Sequence, residues 1–169
     1  MKNWLRNLLT TACLLTVITV FTSPAFSVSQ DEIEKIKSAA PEKPLAQPKE
    51  KRKILVVTKC EGFKHSSIPY VTKAFEIMGQ KTGAFTIDKT EDLKDLNADN
   101  LKNYDAICFN NSTALTPEPE IQRSIINFIK EGNGIIGIHG ATDNFYDWKQ
   151  GGELMGGYFS GHPWTAGGT

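Results

Sequence analysis

The distribution of apolar residues predicts alternating strands and helices from Lys53 onward. Short apolar runs, as in buried strands, alternate with segments in which apolar residues recur every three or four positions, as in amphipathic helices. The four predicted strands are Ile54–Val57, Phe85–Ile87, Ala106–Phe109 and Gly134–Ile138. Because parallel strands need crossover connections, this alternation predicts an α/β domain in which helices cover both faces of a doubly wound parallel sheet.

Two of the predicted helices have recognisable ends. The first presents four apolar side chains at helical spacing, Ile68, Val71, Phe75 and Met78. Ser66 or Ser67 can cap its amino end and Gly83 can end it, since these residue types are favoured at those positions. The second helix is predicted from about Pro117 to Glu131, with Thr116 as N-cap and proline in its first turn.

The first 27 residues have the pattern of a secretory signal peptide. Lys2 and Arg6 precede an apolar run from Leu8 to Phe21, and the small residues Ala25 and Ser27 suit cleavage after Ser27. The sequence therefore predicts a secreted or periplasmic protein. The apolar run is too short to cross a bilayer comfortably, so we expect no stable membrane span after cleavage.

The segments that flank the strand and helix alternation have a different character. Residues 28–52 contain three prolines among Lys, Glu, Gln and Ala, a composition that cannot bury enough apolar surface to offset its ordering entropy. We predict a disordered linker there, with one weak helical turn near Asp31–Ala39. At the other end, residues 166–169 offer no closing strand or helix, so we expect the domain at residues 53–169 to lack its final strands.

Charge and cysteine content limit the classes of partner and of fold. Cleavage after Ser27 removes two of the 19 basic residues and leaves 17 against 19 acidic ones, a formal charge of about −2 that indicates no nucleic-acid or anionic-membrane partner. The remaining Cys60 and Cys108 are too few for a disulfide framework, although one bridge between them stays open. We expect Cys108 to be a small buried side chain, whereas Cys60 stands five positions before His65 and can form a thiol–imidazole pair.

The most informative motif is Gly137-Ile138-His139-Gly140-Ala141. A buried strand is predicted to end here in a tight turn into a helix, because glycines flank His139 and allow the backbone to bend. The pattern is that of a nucleophile elbow with an imidazole at its tip. Ligands of open α/β sheets bind beyond the carboxyl ends of the strands, so His139 is a candidate general acid or base, or a metal ligand. The alternative is a histidine that only holds the turn.

Four segments together resemble the ThuA-like (trehalose utilisation) family, namely residues 63–68, Tyr104-Asp105, 137–143 and 153–163. That family shares the flavodoxin-like core of the class I glutamine amidotransferases. The resemblance therefore implies a flavodoxin-like fold for residues 53–169 and a role in carbohydrate metabolism. It does not imply glutamine hydrolysis, because His139 stands where an amidotransferase has its cysteine.

All three histidines fall in predicted loops. His65 follows the first strand, His139 follows the fourth, and His162 lies in a Gly-His-Pro-Trp sequence. In the flavodoxin-like order the first, third and fourth strands are neighbours, which brings His65, His139 and the amides of Asn110 and Asn111 to one edge of the sheet. We therefore expect a pocket at this edge.

The family resemblance and these positions together predict an exported protein that acts on a small-molecule carbohydrate. The predicted catalytic residues are His139 as acid or base, with His162, Asp143 and Glu153, since a nearby carboxylate can orient an imidazole or act as an acid. The predicted substrate-binding residues are His65, Asn110, Asn111, Tyr146, Trp148 and Tyr158. Large aromatic side chains can stack on a sugar ring or pack in the core, and both interpretations stay open.

Two other functional classes stay open. One is a non-catalytic sugar-binding module in which the aromatic side chains stack on the ligand and the histidines only donate hydrogen bonds. The other is a metal-dependent hydrolase, although no pair of histidines has the short spacing of a zinc motif. The sequence assigns no cofactor or oligomeric state, and does not choose among hydrolysis, elimination and isomerisation.

Overall fold

The computed structural model describes residues 27–163, which form a parallel sheet with helices on both faces. Its strands are β1 (Arg52–Val57), β2 (Phe85–Thr90), β3 (Ala106–Asn110) and β4 (Gly134–Ile138). The α-helices are α1 (Gln30–Ala39), α2 (Ile68–Thr82), α3 (Ala98–Leu101), α4 (Pro119–Lys130) and α5 (Lys149–Met155). Short 3₁₀ turns occupy Leu93–Leu96 and His139–Thr142.

The strand order is β2-β1-β3-β4, and every neighbouring pair is parallel. This confirms the flavodoxin-like α/β architecture expected from the sequence. Val57 pairs with Thr90 and Phe109, and Asn110 pairs with Ile138, so the carboxyl ends of the strands reach the same edge of the sheet. The strand order reverses between β1 and β3, and the crevice at such a reversal is where α/β sheets bind ligands.

Each face of the sheet carries its own apolar core. One face bears Leu55, Val57, Ile107 and Phe109, which pack against α3, α4 and the segment after β4. The other face bears Ile54, Val56 and Cys108, which pack against α2 and apolar side chains of β2 and β4. Because successive side chains of a strand point to opposite faces, burial on both sides explains the continuous apolar runs of β1 and β3.

Helix α2 has the boundaries that its sequence indicates. It begins after Ser67 and ends at Gly83, whose left-handed backbone (φ 66°) lets its N–H donate to the carbonyl of Gly79. The Ser67 hydroxyl makes no capping bond and instead donates to Oδ1 of Asn111, 3.1 Å away. The N-cap position therefore links α2 to the end of β3.

Helix α4 begins two residues later than the sequence pattern predicts. Its N-cap is Glu118 and its first residue is Pro119, so the prediction of Thr116 as N-cap is wrong. A residue before proline is pushed out of the helical region, and Glu118 accordingly has extended backbone (φ −58°, ψ 152°). Both Pro117 and Pro119 are candidates for the first turn, and the helix begins at the later one, Pro119.

Strand β4 is less buried than predicted. Among the described residues it pairs only with β3, so it lies at the edge of the sheet. Gly134 and Gly137 are exposed, and the three isoleucines of the strand are half-buried. The prediction of a buried strand is therefore wrong, because a short apolar run has the same appearance in a central strand and in an edge strand.

The segment predicted to be a linker contains the ten-residue helix α1, where the sequence suggests one weak turn. A capping box begins this helix, in which Ser29 and Glu32 bond to each other's backbone N–H groups. The Tyr70 hydroxyl of α2 donates to the Glu32 carboxylate at 2.9 Å. A helix of this length is marginal alone, so docking on α2 stabilises it, and local composition does not reveal such docking.

Two predictions fall on residues that the structure does not describe. The signal peptide covers residues 1–27, of which only Ser27 is described, and the expected loss of closing strands concerns residues after Pro163. Within residues 27–163, no helix is long and apolar enough to cross a membrane.

Candidate functional site

His139 is the first residue after β4 and begins the 3₁₀ turn at His139–Thr142, where the sequence predicts a helix. Its backbone is left-handed (φ 48°), a conformation that is uncommon for a residue with a side chain. The sequence pattern assigns the bend to the flanking glycines, whereas in the structure His139 itself adopts the left-handed conformation. Strain of this kind persists only where surrounding contacts impose it, and it is typical of functional sites.

Gly140 makes room for a second histidine beside the elbow. A Cβ atom on Gly140 would lie 3.0 Å from Nε2 of His65 and 3.2 Å from a methyl group of Thr113, tighter than ordinary van der Waals contact. The His65 ring therefore lies directly against the backbone after His139. A side chain at this position would require the His65 ring or Thr113 to move by a few tenths of an ångström.

The rings of His65 and His139 lie edge to face, with centroids 4.6 Å apart and planes at 79°. Phe63 packs edge-on against the His65 ring at 4.8 Å. Partial burial lowers the pKa of His65 below its usual value of 6.5, and nearby His139 lowers it further, while Asp143 acts in the opposite direction. His65 is therefore neutral near pH 7 and can accept a hydrogen bond or a proton.

Backbone strain is concentrated at this edge of the sheet. Within the described residues, the left-handed non-glycine residues are Asn111, Ala114, His139 and Phe145. All of them lie in the loops that follow β3 and β4. The two loops are joined by hydrogen bonds from the Ala114 N–H to the Asp143 carbonyl (2.7 Å) and from the Phe145 N–H to the Leu115 carbonyl (3.3 Å).

An aromatic rim lies beside the histidine pair. The Tyr146 hydroxyl donates to Oδ1 of Asp143 at 2.6 Å, and this hydrogen bond, with some desolvation, raises the pKa of Tyr146 to about 12. Tyr146 stacks on Tyr158, with centroids 5.7 Å apart and planes at 21°. The two tyrosines are 51% and 42% exposed, so they offer aromatic surface to a ligand.

His162 lies on the segment that follows α5. Its ring is exposed and packs edge-on against Phe159 at 4.9 Å. The Phe159 N–H donates to the carbonyl of Thr142 at 2.9 Å, and its carbonyl lies 3.0 Å from the Tyr146 hydroxyl. The backbone of this segment is thus attached to the elbow, which places His162 on the rim.

The side chains of Asn110 and Asn111 do not face a cleft. They are 0% and 1% exposed. The Asn110 amide donates to the Ile68 carbonyl and the Thr72 hydroxyl, both at 3.0 Å. The Asn111 amide donates to Oδ1 of Asn110 at 2.7 Å. These amides attach the end of β3 to the first turns of α2, so they position the site and are not placed to contact a ligand.

Glu153 and Trp148 have their contacts away from the histidine rings. Glu153 is exposed on α5 and forms an ion pair with Lys149 at 3.4 Å. Trp148 is 4% exposed and packs against Phe145 in the core, with centroids 5.1 Å apart. Its ring lies over Gly151, where any Cβ atom would approach within 2.3 Å. Trp148 therefore stabilises the fold beneath the rim.

Both cysteines of the described residues are free, so the open possibility of a bridge is not realised. The Cys60 thiol donates to the carbonyl of Asn111 at 3.2 Å, and this contact takes the place of the suggested pairing with His65. Cys108 is buried as predicted, and burial raises the pKa of its thiol to about 12.

Two residues that support the site were not identified from the sequence. Asn144 is 1% exposed, and its side chain donates to the Ser112 carbonyl (2.6 Å) and accepts from the Leu115 N–H (2.8 Å). Thr113 donates to the carbonyl of Phe63 at 2.9 Å and so holds the loop that carries His65. An asparagine or threonine in a loop carries no local signal for such long-range bonds.

The site that results contains a neutral, partly buried imidazole, an exposed imidazole, a carboxylate held by a tyrosine and an aromatic rim. This set can bind a polar ligand and move a proton. Within residues 27–163, no three side chains of His, Cys, Asp or Glu are grouped so that they could hold a metal ion.

The fold and the site define a flavodoxin-like α/β protein with paired histidines at the carboxyl edge of its sheet. The model of the ThuA family, whose description is trehalose utilisation, matches residues 53–169. The chain belongs to this family.

A solved structure shows the same fold. It is that of a protein described as ThuA-like from Bacteroides uniformis ATCC 8492, with a TM-score of 0.51 and 20% sequence identity. The alignment covers 68% of this chain and 47% of the other, so the chain spans about half of that protein's length. No curated protein matches the sequence.

Proposed function

We propose that this ThuA-family protein acts on a carbohydrate, with His139 as general acid or base and His65 as its neutral partner. The observation that carries the proposal is the contact between the imidazole rings of His65 and His139 at the carboxyl edge of the sheet, with ring centroids 4.6 Å apart. The family description, trehalose utilisation, supports a carbohydrate as the ligand. Asp143 acts electrostatically on His65 and is fixed by Tyr146, so a carboxylate is available to stabilise a protonated imidazole.

Each group has a distinct part in the proposed reaction. His139 is exposed and can reach a ligand, whereas His65 is partly buried and held neutral by its surroundings. A proton taken up by His139 in a reaction therefore meets a neutral neighbour and not a second positive charge. Tyr146 and Tyr158 offer the flat apolar surface on which sugar rings stack.

A non-catalytic sugar-binding module is the second candidate. The half-exposed, stacked pair of Tyr146 and Tyr158 favours it, because such a rim can bind a sugar without any proton transfer. In that case the histidines only donate and accept hydrogen bonds.

The variant His139→Gln separates the two candidates. The full chain is first incubated with a panel of unmodified and oxidised disaccharides, and products are identified by mass. We expect His139→Gln to lower turnover by about 10²–10⁴-fold with little change in ligand binding, since general acid–base groups contribute rate factors of this size. Lys102→Gln, which changes an exposed residue at the end of α3, is the control. Unchanged turnover in His139→Gln contradicts an acid–base role, and binding without turnover of any sugar supports the module.

We further propose that the protein is exported and cleaved after Ser27. The basic residues and apolar run of the first 21 residues support this proposal. Cell fractionation and amino-terminal sequencing test it. A mature chain that begins at Val28 is expected, and an intact Met1 in the cytoplasmic fraction contradicts the proposal.

A further inference from the structure

A cleft of about 830 Å³ lies between α1, the amino end of α2 and the carboxyl ends of β1 and β2. Its lining includes Val28 and Ile33 on one side, Thr58 and Thr90 at the strand ends, and His65. Because His65 lines the cleft and also belongs to the histidine pair, the cleft adjoins the candidate site at this residue. Its volume falls within the range of about 300–1,000 Å³ that is typical of small-molecule sites.

One wall of this cleft comes from outside the segment that matches the family. The match begins at Lys53, whereas α1 spans Gln30–Ala39. The wall is firmly attached at both ends of α1. Tyr70 donates to Glu32 at its first turn, and Lys81 donates to the carbonyls of Lys37 (2.7 Å) and Ala40 (2.8 Å) at its last turn. The wall is thus a fixed part of the folded protein.

The cleft lining carries three lysines and two glutamates, and the proposed cleavage after Ser27 adds the amino group of Val28. Lys73 and Lys89 both pair with Glu76, the latter pair at 3.2 Å. Lys64 and Glu91 contribute one further charge of each sign to the lining. The buried hydroxyls of Thr72 and Thr90 are hydrogen-bonded within the protein, to the Ile68 carbonyl and to Asp95. Because charges of both signs line the cleft, a neutral, polar ligand with some apolar surface suits this lining better than a multiply charged one.

We propose that the cleft is a saccharide subsite, which binds the part of the carbohydrate that does not react, and that α1 limits the length of the sugar that fits. This inference rests on the proposed carbohydrate function of the histidine pair. A single sugar ring occupies the elbow beside His139, and a second ring extends past His65 into the cleft. The amino-terminal segment is therefore the element that determines ligand size.

The test uses the full chain with glucose, the disaccharide trehalose and the trisaccharide maltotriose as probes. Binding is followed by NMR chemical shifts and by calorimetry. We expect trehalose to shift signals of Ile33, Thr72 and Thr90 together with those of His65. Ile33→Trp on α1 and Pro69→Trp on α2 fill the cleft from two different positions. Each is expected to weaken trehalose binding by about tenfold or more and glucose binding by less than about twofold.

Lys35→Trp is the matched control, since it adds the same side chain to an exposed position of α1. It is expected to leave the binding of all three sugars unchanged. Circular dichroism and melting temperature identify any filling variant that fails to fold, and the NMR mapping on the unaltered chain then decides alone.

Four results overturn the inference. Trehalose shifts confined to the elbow and rim, or trehalose binding that withstands both filling variants, contradict the subsite while leaving the proposed function intact. Equal weakening by Lys35→Trp shows that the tryptophan acts through α1 docking and not through the cleft. Absence of binding by all three sugars contradicts both the subsite and the proposed function.

Discussion

At the scale of single residues, two imidazoles in contact differ because their surroundings differ. His65 is partly buried between Phe63 and the elbow, and burial lowers its pKa. His139 is exposed and has a left-handed backbone, so its ring is presented by the turn and not by a regular element. One imidazole, that of His65, therefore stays neutral near pH 7, and the other, that of His139, can reach a ligand.

The lowered pKa of His65 predicts a pH dependence of stability. The unfolded chain takes up a proton at His65 near its usual pKa of 6.5, whereas the folded protein does so only at lower pH. The folded state thus binds fewer protons in this window, so the free energy of unfolding falls as the pH drops from about 7 through the lowered pKa. We expect His65→Gln to lose less stability than the unaltered protein over this range.

Urea unfolding at a series of pH values measures this difference. His162→Gln is the matched control, because it removes a histidine that is exposed on the rim. Identical pH profiles for His65→Gln and the unaltered protein show that His65 titrates normally in the folded state and contradict the prediction.

At the scale of elements, the site depends on how the loops after β3 and β4 are joined. Backbone bonds connect Ala114 to Asp143 and Leu115 to Phe145, and the Asn111 N–H donates to the carbonyl of Ile138 at 3.2 Å. These loops contain no long regular element that could hold them separately. Their mutual hydrogen bonds therefore fix the elbow relative to the sheet.

The buried side chain of Asn144 is expected to be the most sensitive of these connections. Asn144→Ala leaves the Leu115 N–H and the Ser112 carbonyl without these partners in a buried place, which costs about 1–3 kcal/mol per unsatisfied group. We also expect lower turnover, because the elbow loses its attachment. Asn133→Ala is the control, since Asn133 makes a single side-chain bond, to the end of α4. Equal stability and turnover of the two variants, measured by urea unfolding and product formation, refute this role.

At the scale of the whole molecule, the loop that carries the site packs on a cluster of buried aromatic side chains. The ring of Phe109 in β3 packs against that of Phe145, with centroids 5.2 Å apart, and Phe145 packs against Trp148, with centroids 5.1 Å apart. Phe145 and Trp148 belong to the same chain segment as Asp143 and Tyr146, so the core extends from the sheet to the underside of the rim. Packing of the core and geometry of the site are therefore coupled.

Two phenylalanine substitutions compare the core with the surface. Phe109→Ala is expected to lower the free energy of unfolding by about 3–5 kcal/mol, since Phe109 is fully buried and leaves a cavity. Phe63→Ala removes a ring that is 69% exposed and is expected to change stability by about 0.5 kcal/mol or less. Thermal or urea unfolding measures both. A comparable loss from Phe63→Ala shows that the loop carrying His65 supports the whole fold.

Most of the fold is predictable because its signals are local. Apolar runs identify the four strands, and spacing together with Gly83 identifies α2. One error, the start of α4, has a local cause in Pro119, and two others concern features that depend on distant neighbours. The edge position of β4 and the docking of α1 on α2 are set by partners that the local pattern does not contain.

The candidate site divides in the same way. Motifs place His65, His139 and Asp143 in loops at one edge of the sheet, and the structure has them there. The motifs equally suggest Asn110, Asn111, Trp148 and Glu153, whose side chains are buried in the fold or point to solvent. Both groups lie at or after the carboxyl ends of strands, so position along the chain does not separate them.

By itself, the sequence determined the family, the order of strands and helices along the chain and the loops that carry the imidazoles. Periodicity and motifs depend only on residues that are near one another in the chain. Only the tertiary structure decided which side chains meet, since the direction of a side chain depends on packing against segments far away in the chain. The pairing of His65 with His139, and the cleft that α1 lines on one side, exist only in the folded protein for that reason.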